Sequence, residues 1–217
     1  MLDAARPLPR GPAARAGEGR AKGFPSALLR LAATLLAGLA GGLALTFLAL
    51  QNDLRFDRVE NGPWSAWLRP AGTAFDPYAR ANLARTGELP LTLGEGIMLV
   101  ARTDSAGAPL DLACRYSLAG VVPAARLWTL AAYRPDGMLA ASPAGRHHLT
   151  SAQVLRQQDG AVAVRIGRET SAGNWLPVSG RGAFVLVLRL YDSPLSASSG
   201  SVRLTRLPAI TREGCAP

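Results

Sequence analysis

The pattern of apolar and polar residues changes character twice along the chain. Up to Arg30 no apolar period exists. The stretch ARPLPRGPAARAGEGRAKG is rich in Pro, Gly, Ala and Arg, has nothing to bury, and reads as disordered. From Leu31 to Leu50 the chain reads LAATLLAGLAGGLALTFLAL, apolar on every face and free of charge. As a helix this run extends about 30 Å, the thickness of a bilayer's hydrocarbon core. A helix returns threonine hydroxyls to its own carbonyls, so Thr34 and Thr46 do not count against the span. A core helix would show a polar face, and this run has none. Residues 31–50 are therefore read as a single transmembrane helix, preceded by a basic tail over 1–30. Residues 51–62, of mixed charge, read as a stalk, and 63–217 as the main domain.

Within the main domain Asp76-Pro77 opens a helix that Gly87 and Pro90 close. After Pro90 the period shortens to two. Ile97–Thr103, Cys114–Leu118, Leu127–Tyr133, Val162–Ile166, Ala183–Tyr191 and Val202–Leu207 read as strands. In FVLVLRLY, Phe184, Leu186, Leu188 and Leu190 share one face; Val185, Val187, Arg189 and Tyr191 share the other. Both faces are apolar for half the length, the mark of a central strand. Asp104–Gly107, Pro135-Asp136-Gly137 and Asp159-Gly160 carry turn chemistry between strand-like runs. Thr150-Ser-Ala-Gln153 resembles a capping box before a helix of one or two turns. Short turns without alternating helices predict a mainly all-β fold: an antiparallel β-sandwich with one or two short helices, preceded by the transmembrane helix. Trp64 and Trp67 suit either a membrane interface or the domain core; the stalk's length favours the core.

Charge sharpens the membrane reading. The chain has 217 residues and a net charge of +9, with Lys22 its only lysine. Residues 1–30 hold a net +4 and residues 51–217 a net +5. The second is spread thinly, so a nucleic-acid footprint is not supported. Arg15, Arg20, Lys22 and Arg30 precede the span within twenty residues, against Arg55, Arg58 and Arg69 after it. That modest bias places the tail in the cytoplasm and, in a bacterium, the main domain in the periplasm at the inner membrane. The long tail and the lack of a small-x-small site favour an uncleaved anchor over a signal peptide. Gly38 and Gly42 form a small-xxx-small pair that admits a helix-mediated homodimer.

An oxidising compartment makes Cys114 and Cys215 a disulfide, the only pairing two cysteines allow. Catalytic chemistry is sparse. The histidines, His147 and His148, are adjacent, so on a strand they face opposite sides and cannot share a metal. Asp104, Asp111, Asp136, Asp159, Asp192 and Glu95 supply carboxylates, but spacing selects no pair for glycoside hydrolysis. No GxSxG nucleophile motif is present, and Gly94-Glu95-Gly96 lacks the third glycine of a dinucleotide loop. No metal site and no cofactor are indicated. Trp175, Asn174, Tyr133 and Trp128 are the candidate ligand-binding residues: aromatic rings stack on a sugar or aryl group, or equally fill a sandwich core.

Three stretches together carry a resemblance: Asp76-Pro-Tyr-Ala-Arg-Ala through Gly94-Glu95-Gly96; Trp128-Thr-Leu with Pro135-Asp136-Gly137; and Gly173-Asn174-Trp175-Leu176-Pro177 leading to Phe184–Tyr191. Over about residues 60–213 the chain resembles the domain-of-unknown-function 1214 family (DUF1214), in its short membrane-anchored form. The resemblance implies an antiparallel β-sandwich and no transferable catalytic set. Larger relatives join a second domain, DUF1254, so a DUF1254-containing protein is the partner the resemblance implies. Larger relatives often carry Trp-Pro after the Leu-Arg-Leu-Tyr strand; here Asp192-Ser193-Pro194 follows Tyr191, which puts that edge's role in question. The expected function is a non-catalytic partner- or ligand-binding module of the envelope. The alternative is a hydrolase acting on an envelope or imported carbohydrate. An acidic or histidine-bearing cleft would favour the second, an apolar groove the first.

Overall fold

A computed structural model of the chain describes residues 24–51, 58–67, 94–197 and 207–215, with the single positions 81, 84 and 91. Two compact units result, Met1–Ala49 and Leu50–Pro217. The first holds helix α1, which runs Phe24–Gln51 and begins seven residues before the expected span. Its segment Ser26–Ala49 is long and apolar enough to cross a membrane. The hydroxyls of Thr34 and Thr46 donate to the Leu31 and Gly42 carbonyls, each at 2.8 Å, which would lower the cost of placing these two side chains in lipid.

The second unit is a two-sheet sandwich. Strands β1 (Arg58–Asn61), β2 (Trp64–Trp67), β3 (Gly96–Ala101), β5 (Leu127–Tyr133), β6 (His148–Thr150) and β9 (Val185–Tyr191) form one sheet, ordered β1-β2-β3-β9-β5-β6. Strands β4 (Cys114–Gly120), β7 (Val162–Gly167), β8 (Asn174–Pro177) and β10 (Ala209–Cys215) form the other, ordered β10-β4-β7-β8. A one-turn helix α2, Pro194–Ala197, follows β9. The core lies between the sheets. Phe184, Leu186, Leu188 and Leu190 meet Tyr116, Leu118, Val164 and Ile166 there, all essentially without exposure. The alternation of FVLVLRLY therefore translates directly into an inner and an outer face. Trp64 is fully buried and donates its indole N–H to the Pro208 carbonyl at 2.7 Å.

Five expected strands are present, Leu127–Tyr133 with the expected ends and the others with shifts of at most two residues. The three turn signals are hairpins closed by the bridges Thr103–Pro109, Tyr133–Leu139 and Arg156–Val162. Each places its glycine in the left-handed region, at φ 86° for Gly107, 82° for Gly137 and 79° for Gly160.

Five expectations need correction or lie outside the described residues. Thr150–Gln153 forms a single turn, not a capped helix. Thr150 pairs with Thr129 in the sheet, and the Ser151 N–H donates to the Trp128 carbonyl at 2.9 Å, so the backbone is committed to β5. Strands β7 and β8 run parallel, not antiparallel. Residues 168–173 double back along β7, roughly 10 Å, a distance six residues span without a helix. Arg58–Asn61, read as stalk, is strand β1. The strand expected at 202–207 lies almost wholly outside the described residues, and the last strand comes later, at β10. Of the helix expected after Asp76, Ala81 and Ala84 are helical and the rest lies outside the described residues.

Candidate functional site

The outer face of the six-stranded sheet is not wholly polar. Register sets three cross-strand rows on it. Met98, Arg189 and Thr129 are aligned; then Val100, Val187 and Ala131; then Val185 and Tyr133. Met98, Val100 and Val187 are 3–7% exposed and form an apolar cluster separate from the main core, with Tyr133 and Val185 packed against it. Two hairpins rise from the same end of these strands, the Asp104–Gly107 turn after β3 and the Pro135–Gly137 turn after β5. They wall off a cleft of about 680 Å³, bordered also by Arg102, Arg134 and Arg189. That is an ordinary size for a small-molecule site.

Arg189 and Tyr133 organise it. The Arg189 guanidinium donates from Nη1 to the Tyr133 hydroxyl at 3.0 Å and lies over the Tyr133 ring, 5.4 Å from its centre. The two side chains span the Val187 row between them. This fixes the orientation of a half-buried cation that pairs with no carboxylate among the described residues. Arg134 differs, since Asp136 neutralises it at 2.5 Å. Among the described residues bordering the cleft there is no Asp, Glu, His or Cys. The arrangement can hold an apolar body and an anion. It presents no described pair of groups to move a proton or attack a substrate.

The four candidate ligand-binding residues are not brought together. Tyr133 is on the cleft. Trp128 is in the core, 2% exposed, and its indole N–H has no hydrogen-bond partner among the described residues. Asn174 is a clamp: its Oδ1 accepts from the Leu155 N–H at 2.7 Å, and Nδ2 donates to the carbonyls of Leu155 at 2.8 Å and Ala163 at 3.0 Å. Those bonds hold the loop before β7 and the start of β8 together. Trp175 is half-buried and donates to the Gly167 carbonyl at 3.0 Å. It borders a small hollow of about 210 Å³ between the ion pairs Arg115–Glu169 and Arg165–Glu213.

Other polar residues are absorbed by the fold. Asp104, 4% exposed, accepts the Ala106 and Ala108 N–H groups and faces Arg212 at 3.4 Å. Asp111, Asp136 and Asp159 each accept a backbone N–H two residues on, the turn role that Asp commonly takes. The His147 ring nitrogen lies 3.2 Å from the Ala140 carbonyl. No group of three His, Cys, Asp or Glu able to hold a metal occurs among the described residues. Cys114 and Cys215 form the disulfide, as register partners across β4 and β10. After Tyr191, Asp192 takes φ 51° and the Ser193 hydroxyl donates to the Ala124 carbonyl at 2.7 Å, so this edge is closed by polar bonds. Arg189 and Arg134 escaped sequence reasoning as site residues, because only the β3–β9–β5 register sets Arg189 beside the apolar rows and only the turn after β5 brings Arg134 to the rim. The available signal was an arginine on the otherwise apolar outer face of FVLVLRLY.

Comparison with known proteins places this geometry. No curated protein matches the chain. Among solved structures, the VPA0106 protein from Vibrio parahaemolyticus is 18% identical with a TM-score of 0.50, over 61% of this chain and 34% of that one. An uncharacterised protein from Burkholderia cenocepacia is 19% identical with a TM-score of 0.38, over 83% of this chain and 51% of that one. The chain thus spans about a third to a half of the length of these proteins, and the first shares its fold. Residues 95–195 match the family model described as protein of unknown function (DUF1214). That segment contains β3, β5 and β9, so the strands that floor the cleft lie in the part of the chain that is similar to the DUF1214 family.

Proposed function

We propose that the chain is a membrane-anchored ligand-binding module of the cell envelope, with α1 as an uncleaved anchor, the sandwich in the periplasm, and the outer-face cleft as the binding site. The observation that carries this is the cleft's make-up: a buried valine and methionine floor, arginines at the rim, and no acidic or histidine side chain among its described residues. An apolar cluster set on a sheet's outer face, apart from the main core, is a recurrent mark of a surface that something covers. The hydrolase alternative would place carboxylates or histidines at such a cleft. Asp104, Asp111, Asp136 and Asp159 instead serve turns, and Glu169, Asp192 and Glu213 form surface ion pairs.

The test uses the full-length chain in lipid nanodiscs and an uncharged alkyl diazirine. Saturable photolabelling of the peptides carrying residues 96–101 and 185–191 is expected. Val187→Glu, which sets a charge in the floor, should abolish it. Val185→Glu, at a half-buried position, provides a second variant less demanding on the fold. Labelling confined to α1, or labelling of the domain that does not saturate, would remove the binding-site reading. Turnover in a glycan or ester panel that disappears with one Asp or His substitution would replace it with the hydrolase.

A further inference from the structure

Resting on the cleft as the binding site, we infer that its ligand is a long-chain aliphatic carboxylate whose head is read by Arg189 and whose chain lies on Met98, Val100 and Val187. Charge sets the head. Arg134 is already paired with Asp136, whereas Arg189 faces the cleft without a described carboxylate. The Arg189 guanidinium, with no carboxylate partner among the described residues, matches an anionic head group. Its Nη1 is engaged by Tyr133, and the donors that remain retain the planar fork that suits the two oxygens of a carboxylate. The hydroxyl and ring of Tyr133 hold that fork in place, which lowers the entropic cost of capture.

The body of the ligand follows from the floor. Met98, Val100, Val185 and Val187 are aliphatic, and methionine adapts to irregular shapes. Of the aromatic rings among the described residues lining the cleft, Phe184 is buried in the core, and the Arg189 guanidinium already occupies one face of Tyr133. No open aromatic platform of the kind that stacks on a sugar or a flat aryl group is left among the floor residues. An alkyl chain needs none.

The experiment compares three photoreactive probes of equal chain length on the full-length protein in zwitterionic nanodiscs: a mid-chain diazirine fatty acid, its methyl ester, and the corresponding alkyl trimethylammonium. The acid should half-saturate labelling of 96–101 and 185–191 at a concentration about tenfold to a hundredfold below the ester, the range for one charge-assisted pair. The ammonium should be weakest. Arg189→Gln should bring the acid to the level of the ester and leave the ester unchanged. Tyr133→Phe, which keeps the ring and removes the acceptor, should weaken the acid a few-fold. It and the three-probe comparison decide the matter if Arg189→Gln does not fold. Equal labelling by acid and ester in the parent chain overturns the carboxylate reading and leaves the cleft standing. An acid preference that survives both variants also overturns it. Absence of cleft labelling by all three probes overturns the cleft itself.

Discussion

Gly96 opens β3 directly against β9, and a Cβ there would overlap the backbone oxygen of Leu190. Leu190 sits in the central strand with neighbours on both sides, so its backbone has nowhere to retreat. Gly96→Ala should cost about 3 kcal/mol. For a domain of this size that is a fall in Tm of roughly 6–12 °C, measurable by circular dichroism, and an unchanged Tm would contradict the close approach. Asn174 presents the opposite case, a polar residue whose side chain looked free for a ligand. Its three bonds to Leu155 and Ala163 make Asn174→Ala leave a backbone N–H and two carbonyls short of partners, a loss of about 2–4 kcal/mol. Because these bonds lie in the four-stranded sheet, labelling of the outer-face cleft per folded molecule should not change. A loss of labelling without a loss of stability would restore Asn174 as a ligand residue. At this scale the sequence shows which residues alternate between faces, as in Phe184–Tyr191. It does not show which outer-face residues meet, because Arg189 and Tyr133 lie 56 residues apart and only the β5–β9 register brings them within 3.0 Å.

Strands of six or seven residues, such as β3, β5, β7 and β9, were legible because each repeats its period often enough to stand out. Strands β1, β2, β6 and β8, of three or four residues, repeat it at most twice and owe their conformation to a neighbour. The parallel β7–β8 pair was illegible for a related reason: nothing in residues 168–173 signals that the chain doubles back. Strand β10 was missed although it is seven residues long. Its sequence, AITREGC, buries only Ile210 fully, and it is an edge strand with β4 as its one partner. The Cys114–Cys215 bond therefore secures an element that packing holds weakly. The Ser double variant of Cys114 and Cys215 should lose about 2–5 kcal/mol. Amide exchange should rise first at Ile210–Arg212, while β9 keeps the protection of a strand paired on both sides. Equal acceleration in β9 and β10 would show instead that the bond stabilises the domain as a whole.

For the whole molecule, the uniform apolarity of 31–50 was enough to identify a helix of membrane-crossing length, but the direction of crossing rests on a smaller quantity. Four basic residues precede the span within twenty positions and three follow it. The disulfide supplies an argument independent of charge, since such bonds persist in oxidising compartments and the bonded domain follows the span. Both support the proposal that the sandwich lies outside the cytoplasm, and one experiment tests them together. A C-terminal alkaline phosphatase fusion, active only after export, should be active, and Cys114 and Cys215 should resist maleimide modification in whole cells. Replacing Arg20, Lys22 and Arg30 with Gln leaves Arg15 alone on the tail side, so the bias reverses to one against three. Reporter activity should fall, and in the same proportion the two cysteines should become free thiols, because inverted molecules fold where bonds are kept reduced. An inactive fusion on the parent chain would refute the orientation. Full activity in the variant would show that tail charge does not set it. Free thiols alongside full activity would separate the bond from the compartment and leave the charge argument to stand alone.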